Sequence, residues 1–145
     1  MILITDSGST KCDWIAIDDA GKPLAEKIRT KGLNPAILSE QKLKKIIHGS
    51  EELMRYKHDV THVFFYGAGC GTDKPKTLLK HVLQFAFVNA KVEVEEDTMA
   101  AVRAAINNND ESAVVCIMGT GSNCSYFDGD KLHQRVISLG YTLMD

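Results

Sequence analysis

The chain has 145 residues, of which 44% are hydrophobic and 25% charged, with only three prolines; this is the composition of a globular domain and excludes disordered and fibrous classes. The formal net charge of −2 excludes the basic surface that binding to a nucleic-acid backbone requires. No apolar run approaches the roughly 18 residues that cross a bilayer, and no basic segment precedes the apolar N-terminus, so we expect a protein that is neither secreted nor membrane-spanning.

The cysteines lie at four separated positions and form no C-x-x-C pair. The two nearest in sequence, Cys116 and Cys124, bracket a glycine-rich turn, and Cys12 and Cys70 stand alone. This spacing suggests neither a zinc site nor a disulfide framework. We therefore expect reduced thiols in a cytoplasmic protein.

Apolar periodicity and turn residues predict six strands and three helices before a final hairpin. The predicted strands are 2–5, 12–18, 24–30, 61–66, 91–95 and 113–118; the helices are 40–56, 74–88 and 97–107; hairpin turns are predicted at 18–22 and 128–130. Ser39 has the character of an N-cap for the first helix.

This order of elements predicts an α/β fold. A three-stranded meander followed by strands alternating with helices indicates a mixed sheet flanked by helices, because parallel strands need long crossover connections. We find no linker or internal repeat, so one domain, 1–145, is expected. Ligand-binding loops should gather at the carboxyl ends of the parallel strands.

The first candidate site is the turn after the first strand, where residues 6–11 read Asp-Ser-Gly-Ser-Thr-Lys. The backbone N–H groups of Gly8, Ser9, Thr10 and Lys11 could point at phosphate oxygens. The carboxylate of Asp6 would repel phosphate unless a cation lay between them, and Mg²⁺ is commonly held in this way. A polar hairpin turn with capping hydroxyls is the structural alternative.

A second turn repeats the scheme after the strand at 113–118. Gly119, Thr120 and Gly121 are followed by Ser122 and Asn123, which again combine small residues with hydroxyls and exposed amides. Two such turns on one sheet could hold a phosphate chain from both sides. Neither turn has the P-loop or the dinucleotide-binding pattern.

With both turns present, the sequence resembles the ATPases that include actin, hexokinase and heat-shock chaperones. The similarity is greatest to the BadF/BadG/BcrA/BcrD group and its N-acetylglucosamine kinases, which share the Gly-Thr-Gly-Ser-Asn-Cys string found at 119–124. The resemblance covers essentially the whole chain. It implies a ribonuclease-H-like fold and a kinase that uses ATP and Mg²⁺.

The resemblance also implies roles for individual residues. Asp97 would be the catalytic base, and a helix N-terminus favours the ionised carboxylate that accepts a sugar hydroxyl proton. An aspartate at this position could instead simply cap the helix. For the amino-sugar substrate, the resemblance points to Asn34, Ser122, Asn123 and Asp145.

The family continues beyond Asp145 with a second lobe that holds the adenosine site. We therefore expect this chain to be an N-terminal half with negligible kinase activity alone. The face that would meet the second lobe could also pair two copies into a homodimer.

The sequence leaves other functions open. One is an ATPase that activates a 2-hydroxyacyl-CoA dehydratase, whose dimer holds an iron–sulfur cluster through cysteines. Another is a sugar sensor that has kept the fold and lost catalysis. N-acetylglucosamine, glucosamine and N-acetylmuramic acid all remain open as the sugar.

Overall fold

The computed structural model describes residues 1–106, 111–118 and 122–133. Within them, the strands are β1 (Ile2–Ser7), β2 (Lys11–Ile17), β3 (Ile28–Lys31), β4 (His62–Gly67), β5 (Lys91–Glu95), β6 (Ala113–Met118), β7 (Ser122–Phe127) and β8 (Leu132–His133). The helices are α1 (Glu40–His48), α2 (Glu51–Met54), α3 (Asp73–Ala86) and α4 (Asp97–Ala105). None of the helices in the described ranges is long and apolar enough to span a bilayer.

The chain divides into two compact units, Met1–Asp97 and Thr98–Asp145. The first contains a five-stranded sheet in the order β3-β2-β1-β4-β5. Strand β2 is antiparallel to both of its neighbours, whereas β1, β4 and β5 are parallel. Residues 8–10 join β1 to the antiparallel β2, whereas α3 lies in the crossover between the parallel strands β4 and β5, as strand direction requires. The predicted mixed sheet flanked by helices is confirmed.

The core of this unit lies on one face of the sheet. Trp14 is fully buried, and its ring centroid lies 6.3 Å from that of Phe65 and 6.2 Å from that of Phe87. The indole N–H donates to Thr30 Oγ1 at 3.0 Å, so its one polar group is satisfied. Helices α1 and α3 add apolar residues to this core at helical spacing, namely Leu43, Ile47, Leu79, Val82, Leu83 and Ala86.

The segment predicted as one helix, 40–56, forms two. Helix α1 ends at the C-cap Gly49, and Ser50 then acts as the N-cap of α2, because its Oγ accepts the backbone N–H of Leu53 at 3.3 Å. A serine that caps a new helix ends the backbone hydrogen-bond ladder, while the apolar periodicity of the side chains continues across both helices. The predicted cap Ser39 is confirmed, since its side chain accepts a backbone N–H from the first turn of α1.

Strand β3 is shorter than predicted and lies later in the chain. The prediction placed it at 24–30, but the strand is Ile28–Lys31. Pro23 forms only an isolated bridge with Ile17, and a proline has no N–H to donate to a sheet. The prediction was therefore wrong at the N-terminal end of this strand.

The second unit contains a three-stranded antiparallel sheet in the order β6-β7-β8. The expectation that both glycine turns lie on one sheet is wrong for the described strands. The turn at 8–10 joins two strands of the five-stranded sheet, whereas residues 119–121 connect β6 and β7. Because that connection is short, β6 pairs with the strand that directly follows it.

The two sheets share a meander that the sequence did not show as a repeat. In each, the second and third strands are connected by a turn that begins with an aspartate, Asp18 or Asp128, whose Oδ1 accepts two backbone N–H groups. A glycine with positive φ follows in both turns, Gly21 at 79° and Gly129 at 103°. Many different apolar residues can form a strand, so the two meanders can share an architecture with little sequence identity between them.

The cysteines differ from the expectation of four reduced thiols. Cys116 and Cys124 form a disulfide, and their Cα atoms are 4.1 Å apart. The two residues are direct cross-strand neighbours of β6 and β7, a proximity that sequence spacing did not reveal. Cys12 and Cys70 are free and buried.

Candidate functional site

The first glycine turn lies at the solvent-facing end of β1. Gly8, Ser9, Thr10 and Lys11 are exposed, as is Asp6, the penultimate residue of β1. The N–H of Gly8 donates to the carbonyl of Lys11 at 3.0 Å, so this amide already closes the turn. The structure therefore brings five predicted site residues together at one edge of the sheet.

Ser7 connects this turn to two other loops. It is 1% exposed, and its Oγ accepts the backbone N–H of Leu33 at 3.0 Å. Its carbonyl accepts the backbone N–H of Ala68 at 2.8 Å. We did not predict Ser7 as a site residue, because its hydroxyl resembled those of its exposed neighbours and only the fold shows that it points inward.

Gly32 packs directly against the turn. Its N–H donates to the carbonyl of Thr10 at 3.0 Å, and a Cβ at this position would lie 2.6 Å from the carbonyl oxygen of Ser9. Any larger residue would displace the backbone of the turn. The turn is thus supported from beneath by a residue without a side chain.

Asn34 is 8% exposed and lies beside the same turn. Its Nδ2 donates to Ser9 Oγ at 3.0 Å, and its Oδ1 accepts the backbone N–H of Ala36 at 3.0 Å. Its own carbonyl accepts the backbone N–H of Leu38 at 3.0 Å. One amide hydrogen and one oxygen lone pair of Asn34 are not used by these bonds, and they could contact a ligand.

The loop after β4 approaches Asn34 at Gly69. Gly69 has a φ of 81°, a conformation that glycine adopts without steric cost. A Cβ there would collide with Oδ1 of Asn34 and lie 3.1 Å from the Cβ of Ala36. This geometry gives Gly69 a packing role.

Asp6 lies in a row of polar residues that crosses the five-stranded sheet. It pairs in register with Asp13 on β2 and Tyr66 on β4. Arg29 donates to Asp13 at 2.6 Å and Lys27 does so at 3.3 Å, and the bond from Arg29 lowers the pKa of Asp13 to about 2. Asp6 has no such ion pair among the described residues, so its carboxylate could face a cation.

A second group of carboxylates follows β5. Lys76 Nζ lies 2.7 Å from Glu95 Oε2. Burial raises the pKa of Glu96, and the neighbouring charges of Asp97 and Glu95 raise it further, against the opposing effect of Lys76. Burial also raises the pKa of Cys70 to about 12, with a smaller contribution from Asp97.

Asp97 begins α4 directly after this group and is exposed. Glu95 pairs with Tyr66, which in turn pairs with Asp6, so two strand spacings, roughly 10 Å, separate β5 from β1. The parallel arrangement therefore places Asp97 at the same edge of the sheet as the first turn. Helix α4 ends at Ala105, whereas the sequence predicted a helix that ends at residue 107.

The remaining predicted residues belong to the second unit. Gly119, Thr120, Gly121 and Asp145 lie outside the described residues. Ser122 and Asn123 lie in β7, where their backbones pair with Met118 and Ile117.

Asp6 and the exposed turn after β1 suit Mg²⁺ better than a metal that is coordinated by protein side chains alone. Within the described ranges no group of three or more His, Cys, Asp or Glu side chains could hold a metal ion. Mg²⁺ usually takes one or two carboxylates and completes its shell with water and phosphate oxygens. The single unpaired carboxylate of Asp6 beside an exposed turn fits that requirement.

Comparison with solved structures places this geometry among known proteins. The chain aligns over 100% of its length with a candidate N-acetylglucosamine kinase from Porphyromonas gingivalis, with 38% sequence identity and a TM-score of 0.86, and it spans 50% of that protein. It aligns over 90% of its length with the ethanolamine utilization protein EutJ from Carboxydothermus hydrogenoformans, at 14% identity and a TM-score of 0.50, spanning 48% of that protein. No family model and no curated protein matches the chain.

These similarities confirm the resemblance inferred from the sequence. The chain has the actin-like, ribonuclease-H-like ATPase fold, and its whole length resembles about half of a candidate N-acetylglucosamine kinase. The similarity to EutJ concerns the fold alone.

Proposed function

We propose that this chain, which resembles half of a candidate N-acetylglucosamine kinase, is the N-terminal part of an ATP-dependent kinase that phosphorylates an amino sugar such as N-acetylglucosamine. The observation that carries the proposal is the 38% identity maintained over 100% of the chain. The other half of such a protein would contain the adenosine site, so the 145-residue chain is expected to have negligible activity alone.

In this proposal the first turn binds the phosphates of ATP. Ser9, Thr10 and Lys11 present exposed groups, while Gly8 closes the turn and Gly32 supports it. A Mg²⁺ ion near Asp6 would neutralise phosphate charge. Positioning and charge neutralisation supply most of the rate in phosphoryl transfer.

Asp97 is the proposed base. As the sugar hydroxyl oxygen bonds to the γ-phosphorus, the carboxylate takes the hydroxyl proton, and the bond to the leaving ADP breaks. Asp97 lies in the first turn of α4 and is exposed. Glu96, whose pKa is raised by burial and by its acidic neighbours, is the adjacent rival carboxylate.

The sugar is proposed to contact the segment that carries Asn34, through the amide hydrogen and lone pair that its internal bonds leave available. Ser122, Asn123 and Asp145 remain proposed sugar contacts on the resemblance alone. On the same basis, Gly119, Thr120 and Gly121 remain a proposed second phosphate turn.

The proposal is tested by ADP release in the full-length protein, supplied with ATP, Mg²⁺ and each of the three candidate sugars. We expect release only with a suitable sugar, and we expect Asp97→Asn to lower kcat by roughly 10²–10⁴. Asp19→Asn is the matched control, because Asp19 is an exposed aspartate of the 18–22 hairpin turn. Undiminished turnover in the Asp97 variant would show that another group is the base.

The same measurements separate the alternatives. Sugar binding without turnover would favour a sensor, and iron retained after anaerobic purification would favour the dehydratase activator. Cytoplasmic location and a homodimer also remain proposals, which cell fractionation and light scattering would test.

A further inference from the structure

A groove of about 680 Å³ lies between the edge strand β3 and helix α1. The groove lies within the first unit, and none of the proposed catalytic or binding residues lines it. Its volume is within the range of small-molecule sites. The lining consists of Arg29, Thr30, Lys31, Leu38, Lys42, Lys45, Ile46, Gly49 and Ser50.

The lining is strongly cationic. It contains four basic side chains and no carboxylate. Arg29 is engaged by Asp13, but within the described residues no hydrogen bond or ion pair involves the side-chain amine of Lys31, Lys42 or Lys45. Like charges that share a groove repel one another, and an anion would relieve that repulsion.

Lys44, on the same helix as Lys42 and Lys45, differs from them because its side-chain amine has partners. Its Nζ lies 2.6 Å from Glu40 Oε1 and 5.1 Å from the ring centroid of Phe85. Lys44 does not line the groove. Helix α1 therefore presents a compensated lysine on one side and two uncompensated lysines toward the groove.

The groove also has an apolar floor. Leu38 and Ile46 are partly buried and pack against the core of the first unit. The methylene stems of long basic side chains add apolar surface while their charged ends stay in water. A cationic rim over such a floor complements a ligand that has a charged head and a short apolar body.

From this charge complementarity, we propose that the groove between β3 and α1 binds a small organic anion that carries a phosphate or carboxylate head on a short apolar body. The site is distinct from the proposed phosphate turn and does not depend on kinase activity. Its walls flank the segment that holds Asn34: β3 ends at Lys31, directly before Gly32, and the N–H of Leu38 donates to the Asn34 carbonyl. A bound anion would thereby stabilise both ends of that segment.

Calorimetric titration of the chain with hexyl phosphate tests the proposal, with hexanoate as the carboxylate probe. Hexanol supplies the same body without the charge, and inorganic phosphate supplies the charge without the body. We expect at least one of the two anionic probes to bind about tenfold or more tightly than both hexanol and inorganic phosphate. If hexanol or inorganic phosphate bound as tightly as the better anionic probe, the proposal would be overturned.

The location is tested with Lys42→Ala/Lys45→Ala against the control Lys44→Ala. The double variant should weaken the binding of the better anionic probe about tenfold or more, and the control should change it less than about twofold. Equal losses in both variants, or no loss in the double variant, would place the anion elsewhere. Because these lysines are at the surface, folding should persist; Lys42→Gln/Lys45→Gln provides a second pair if it does not.

Discussion

Gly69, in the loop after β4, packs against Asn34 of the proposed substrate segment. Its φ of 81° disfavours any side chain, and a Cβ would also collide with the Asn34 amide. Gly21 has a similar φ of 79° but has no atom within 4 Å of the position its Cβ would take. Comparing alanine substitutions at the two glycines therefore distinguishes the cost of backbone strain from the cost of steric contact.

We expect Gly69→Ala to reduce the free energy of unfolding by about 1–2 kcal/mol more than Gly21→Ala, which should cost about 1 kcal/mol through backbone strain alone. Urea denaturation of the two variants measures the difference. Combining Gly69→Ala with Asn34→Ser should recover part of the loss. Equal destabilisation by the two alanine variants would mean that Asn34 moves away from the new Cβ at no measurable energetic cost.

At the level of elements, the loops that follow β1, β3 and β4 form one connected group. Ser7 binds the second and third of these loops, and Asn34 binds the turn after β1. The hydrogen bonds join segments more than 20 residues apart in sequence, because the parallel strands bring their carboxyl ends to one edge. The turn after β1 is thus held by the neighbouring loops as well as by its own hairpin.

A double-mutant cycle on the hydrogen bond between Ser9 and Asn34 tests this connection. We expect Ser9→Ala and Asn34→Ala to be non-additive by about 0.5–1.5 kcal/mol in the free energy of unfolding, since either change removes the same bond. As a control, Ser9→Ala with Thr61→Val should be additive, because Thr61 bonds to Met1 at the opposite end of the sheet. Additivity in the first cycle would show that the bond contributes nothing measurable.

The sequence predicted most elements of the first unit but not all of their limits. The strand at 91–95 is correct because its alternation is unbroken. The first helix was predicted too long because Ser50 fits a helical surface as well as it fits an N-cap. Side-chain periodicity reports which face is apolar, and it is less sensitive to where a backbone hydrogen-bond ladder stops.

For the whole molecule, two buried thiols link stability to pH. Burial raises the pKa values of Cys12 and Cys70 from 9.0 to about 12. Between pH 9 and 12 the unfolded chain loses these protons while the folded chain keeps them, so the folded state binds more protons and stability must fall as pH rises.

We therefore expect the free energy of unfolding to decline from pH 9 toward pH 12. Cys70→Ala should show a shallower decline than the parent chain, and Cys12→Ala should do the same. Urea midpoints at half-unit pH intervals provide the measurement, and comparing each variant with itself at pH 8 removes the cost of the substitution. An unchanged slope in both variants would assign the decline to lysines and tyrosines.

The sequence by itself determined the α/β class, the strand-turn-strand form of the first glycine turn and the resemblance to amino-sugar kinases, because these depend on local patterns and on short motifs. Only the tertiary structure decided that β1 and β2 belong to one sheet and β6 and β7 to another, that Cys116 faces Cys124, and that Asn34 is bound to Ser9. Each of these depends on which strands and loops become neighbours. That choice is made by the packing of the whole chain, and residues far apart in sequence carry no local signal of it.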